Sequence, residues 1–132
     1  GVGWDRTGTA FGGYGYAGLT GIQRWKVMAM LKRSYGRLAE KQTKLAIKHA
    51  GLSDRVEAKR LANAGMRDGL MRAMYNGTPA SRVGLLRQQL SAAEGQLATM
   101  EQDLVMLTRE LQGVEGAMTD MAAELALFGF KV

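Results

Sequence analysis

The sequence predicts an all-α fold: a long antiparallel helical hairpin of the coiled-coil type, with two shorter helices packed on one of about 50 residues and a Gly/aromatic-rich extended N-terminal arm. Three observations lead there. Every a and d position of a heptad repeat from Val83 to Phe128 is apolar. The single proline, Pro79, closes an Asn-Gly-Thr-Pro stretch that interrupts the helical pattern. Eight of the eighteen glycines fall within residues 1–21. The expected division is therefore an arm over 1–21 and a helical region over 22–132, with helices near 22–50, 54–75 and 79–128.

Residues 1–21 also carry Trp4, Phe11, Tyr14 and Tyr16. Glycine at this density costs too much backbone entropy for a helix, and no strand alternation replaces it. Such a segment orders only against a surface, and a chain of 132 residues has little to spare. We therefore expect an assembly arm whose rings insert between neighbouring copies. Ile22 and Trp25 would continue its apolar surface onto the first helix.

The first helix is read from Met28, Leu31, Tyr35, Leu38, Leu45 and Leu52, which recur at helical spacing, with Gln42 and His49 as polar members of the stripe. Its other faces are basic, with eight Lys and Arg between Arg24 and Lys48 against Glu40 alone. Gly51 suits a helix C-cap, and Asp54 followed by Glu57 suits a capping box, so a second helix is expected from residue 54. That helix is rich in small residues and less periodic. Gly77 fits the left-handed position past its end, Thr78 an N-cap and Pro79 the first turn of the next helix.

The third helix carries the strongest periodic signal, fourteen successive apolar a and d positions. Its coiled-coil seam includes Leu90, Leu97, Leu104, Leu107, Leu111 and Val114. The flanks are acidic, so a basic partner is favoured over parallel self-pairing. Folding back at Asn76–Pro79 makes residues whose numbers total about 155 face each other, given equal rise along both arms. Lys48 then comes near Asp103 and Glu110, Lys41 near Glu115, Lys32 near Asp120 and Glu124, and Arg55 near Glu101.

Composition narrows the function. There is no cysteine, so disulfides and thiolate chemistry are excluded, and one histidine, His49, is too few for a His-rich metal cage. His49 at an inward helical position reads as a packed side chain. The expectation is no enzyme, no cofactor and no metal. Net charge is +6, but residues 1–90 hold 16 Lys and Arg against 5 Asp and Glu, and residues 91–132 hold 2 against 7. Opposite ends of the sequence attract, within one chain or between copies, which weakens a simple nucleic-acid reading. Arg67, Arg72, Arg82 and Arg87 gather near the turn with Asp68 alone to balance them, a basic tip suited to an acidic protein, phosphate or nucleic acid. Tyr75 is the one aromatic there, fewer than stacking on bases would use.

The expected function is a non-enzymatic structural subunit that self-assembles into a larger homo-oligomer: a filament, a sheath, or a component of a phage particle or secretion apparatus. The alternative is a basic helical protein that binds nucleic acid or an acidic partner. No stretch approaches the roughly 18 apolar residues of a membrane span, and no signal-peptide pattern opens the sequence. Localisation stays open on these grounds, and cytoplasmic synthesis with incorporation into a particle or an extracellular assembly is compatible with them. Gly1 fits removal of either an initiator Met or a longer leader.

Overall fold

The structure, a computed structural model, describes residues 18–132. The described chain is all-helical, with two helices packed together and no strands among the described residues. Helix α1 runs over Gly21–Tyr75 and α2 over Ala80–Ala126. The four aromatics of the expected arm, Trp4, Phe11, Tyr14 and Tyr16, lie outside the described residues.

The break expected between residues 50 and 54 is absent. One helix of 55 residues replaces the two expected over 22–50 and 54–75. The reason is that the inward stripe continues through Gly51. Counting on by heptads from Leu52 gives Val56, Lys59, Asn63, Met66, Leu70 and Ala73, and each is buried or half-buried. Burial of this stripe outweighs the local preference of Gly51 and Asp54 for helix ends, a tertiary override of a weak local signal. Glu57, expected in a capping box, instead pairs with Arg60 on the same helix at 3.6 Å.

The helix ends are tightly specified. At the start of α1, Gln23 N–H donates to Thr20 Oγ1 (3.2 Å) and Thr20 N–H donates to Gln23 Oε1 (2.9 Å), a reciprocal capping box. At its end, Thr78 N–H donates to the Ala73 carbonyl and Gly77 N–H to that of Met74, with Gly77 at φ 71°. This is a Schellman closure, and it needs a residue that tolerates the left-handed region. The Pro79 carbonyl then accepts from the N–H groups of Arg82 and Val83 to start α2. Helix α2 closes the same way: Phe130 N–H reaches the Leu125 carbonyl, Gly129 N–H that of Ala126, and Gly129 has φ 79°. It therefore stops at Ala126, two residues before the expected end.

The chain forms two compact units. One comprises Leu45–Glu110 and contains the turn, where α2 runs antiparallel to α1: Asn63 meets Ala93, Lys59 meets Gln96 and His49 meets Thr108. Its core holds Leu45, Val56, Leu90 and Ala93. The other joins the described residues up to Lys44 with Leu111–Val132, around Leu31, Val114 and Leu125. There the aromatics after α2 meet the basic face of α1, with the Arg24 guanidinium 5.2 Å from the Phe128 ring centre and Lys32 Nζ 4.1 Å from that of Phe130. Such contacts are worth about 0.5–2 kcal/mol each, more as they lose water.

Candidate assembly surface

The inward stripe of α2 is continuous. All fourteen a and d positions from Val83 to Phe128 are buried or half-buried: Leu90 and Val114 are buried, while Leu97, Leu104, Leu107 and Leu111 are half-buried. Two helices alone cover their stripes only in part, which is why full burial is confined to a few residues per unit.

Within Leu45–Glu110, polar residues punctuate the facing stripe of α1. Asn63 is 0% exposed; its Nδ2 donates to the Ala93 carbonyl at 3.1 Å, while its Oδ1 has no partner. His49 Nε2 lies 2.9 Å from Thr108 Oγ1, whose own proton goes to the Leu104 carbonyl at 2.8 Å. A hydroxyl has one proton to give, so the imidazole nitrogen is the donor to Thr108. That fixes the ring as a structural tie between the helices. Lys59 Nζ donates to Gln96 Oε1 at 2.9 Å. Neither Asn63 nor Lys59 stood out in the sequence; extending the Met28 heptad past Gly51 would have found both.

A ladder borders the stripe on one side. Arg60 Nη2 donates to Glu101 Oε2 (2.8 Å), Arg67 Nε to Glu94 Oε1 (3.4 Å) and Arg87 Nη2 to Met74 Sδ (3.6 Å). Successive rungs are seven residues apart on both helices. Hydrogen bonding to Glu101, and then its charge, hold the Arg60 pKa above its ordinary value. The ladder corrects two expectations. Glu101 is paired with Arg60, not Arg55, because flanking side chains reach across at an offset from the residues that meet in the stripe. The basic tip is also less bare than expected, since Glu94 pairs with Arg67. Arg72 and Arg82 make no ion pair among the described residues.

Several large apolar side chains stand on the outer surface. Ile22 and Trp25, on the first turns of α1, are 71% and 63% exposed, and Tyr75 at its end is 92% exposed. Ile47, Leu61 and Met71 stand out from α1, Leu85, Val105 and Met106 from α2, and Leu127 from the turn after it. A groove of about 400 Å³ on α2 is lined by Glu101, Gln102, Val105, Met106 and Arg109. In the other unit, a groove of about 320 Å³ is walled by Lys32, Tyr35, Gly36, Leu125, Phe130 and Val132. Glycines interrupt the outer faces of both helices, and a Cβ added at Gly51, Gly84, Gly95, Gly113 or Gly116 would meet nothing within 4 Å. Each costs its helix about 0.5–1 kcal/mol relative to alanine. Nothing among the described residues requires them.

Among the described residues no group of three or more His, Asp or Glu is placed to hold a metal ion, and no described helix is long and apolar enough to cross a membrane. Comparison with protein-family models, curated proteins and solved structures returned no match.

Proposed function

We propose that this chain is a non-enzymatic structural subunit that associates with copies of itself, its helices pairing as an antiparallel coiled-coil hairpin and residues 1–21 serving as an assembly arm. One observation carries the reading. Among the described residues, thirteen large hydrophobic side chains are exposed, eleven of them on the two helices. Single exposed apolar residues are ordinary, and it is their recurrence along both helices that supports a surface for a second copy. Association would also account for the helix-interior glycines, whose Cβ positions face open space among the described residues. The finished assembly would be a filament, a sheath or a particle component.

The competing reading, a basic helical protein that binds nucleic acid, keeps Arg72 and Arg82 but shares Arg67 with Glu94. The two readings separate in solution. Electron microscopy of the purified chain at several salt concentrations should find rods, rings or uniform particles that survive high salt, and removal of residues 1–18 should shrink them while helicity persists. Particles absent throughout, together with DNA retention that falls steeply with salt, would favour the nucleic-acid reading instead.

A further inference from the structure

We infer that the first association step joins two copies through the outer face of α2 within Leu45–Glu110, antiparallel, with Gly95 on the two-fold axis. This rests on the self-association proposed above and specifies its surface and its partner, a second copy of this chain.

The face lies opposite the buried stripe, at the b, c and f positions of the heptad. From Gly84 to Met106 every such residue is exposed and none is charged. The outer face of α1 in the same unit carries Asp54, Glu57, Asp68 and Arg72. An uncharged strip leaves water at less cost than a charged one, and its glutamine and hydroxyl groups need partners across the interface, which a second copy of the same strip offers.

The order of residues along the strip is complementary to its own reverse. With Gly95 facing Gly95 of the partner, Gly84 lies opposite the partner's Met106, Leu85 opposite the partner's Val105, and Gln88 opposite the partner's Gln102. Met106 thus meets a glycine, Leu85 meets another apolar side chain, the small residues Ser91, Ala92, Ala98 and Thr99 meet one another, and amides meet amides. The groove floored by Val105 and Met106 receives the partner's Leu85. On the flank, Arg87 of each copy comes beside Glu101 of the partner subunit, an opposite-charge contact that symmetry repeats. Like charges meet only at Glu94, where Arg67 of the same chain already answers the carboxylate. Glycine at the axis allows the closest backbone approach, and its absence of contacts within the chain leaves room for that approach.

The strip spans about 34 Å, so the paired faces cover on the order of 1,000 Å². That is the small end of specific interfaces, so the step is reversible and depends on concentration. Larger particles would add other contacts to it.

The chain has no cysteine, so a single introduced thiol can report only on its own counterpart. Under mild oxidation, Gly95→Cys should give a disulfide-linked dimer, while Ile47→Cys, also exposed but on α1, should not. In sedimentation, Gly95→Leu should weaken association at least tenfold with undiminished helicity, since its side chain enters open space in the single chain. Association of the unaltered protein that Gly95→Leu leaves unchanged, or cross-linking equal at both positions, would overturn the α2 face while leaving self-association standing. An unaltered protein that is monomeric at every concentration would overturn both.

Discussion

Asn63 is the residue on which the pairing of the two helices depends most specifically. Its Nδ2 finds the Ala93 carbonyl, yet its Oδ1 is buried without a partner. An unpaired buried polar atom costs about 1–3 kcal/mol, so asparagine here lowers stability. The return is specificity, since a buried asparagine in an otherwise apolar stripe is satisfied in one register and not in its neighbours. Asn63→Leu is therefore expected to raise unfolding stability by about 1–2 kcal/mol in chemical denaturation while loosening the register. A variant less stable than the parent would show that the amide contributes more than its unpaired oxygen costs. The exposed Arg60–Glu101 pair works differently. A double-mutant cycle with Arg60→Ala and Glu101→Ala should return a coupling of less than about 1 kcal/mol, because both groups remain largely in water.

At the scale of elements, α2 was legible and α1 only half so. Fourteen uninterrupted apolar positions leave α2 one way to lie, and the Asn76–Pro79 turn follows from glycine's tolerance of positive φ and from proline's fixed one. In α1 the stripe passes through Lys59 and Asn63, whose polarity hides it, and the stretch Gly51-Leu52-Ser53-Asp54 imitates a stop and a start. Local chemistry and long-range burial disagreed there, and burial prevailed. The ladder at Arg60, Arg67 and Arg87 was missed for another reason: a register drawn through the centre of the stripe does not locate partners on its edge. The exposure of Ile22 and Trp25 could be read from their place before the stripe, but that of the outer residues of α2 could be read only once the inner ones were placed. The continuity of α1 makes its own prediction. Gly51→Ala should raise stability by about 0.5–1 kcal/mol, or roughly 2–5 °C in melting temperature. A residue closing one helix in the left-handed conformation would instead lose stability on that change, and calorimetry separates the two.

For the whole molecule, the question is what covers the exposed apolar side chains. The opposed charge of residues 1–90 and 91–132 can be satisfied within one chain or between copies, so charge alone does not decide the matter. The proposed self-association rests instead on Ile22, Trp25, Leu61, Met71 and Met106, which are exposed and gain nothing from facing water. Sedimentation equilibrium of the full chain, run over a hundredfold range of concentration at low and high salt, tests this most directly. The account predicts a mean mass that climbs above the 14.3 kDa of a single chain as concentration rises and does not fall back in high salt. A mass fixed at that of one chain under all conditions would contradict it.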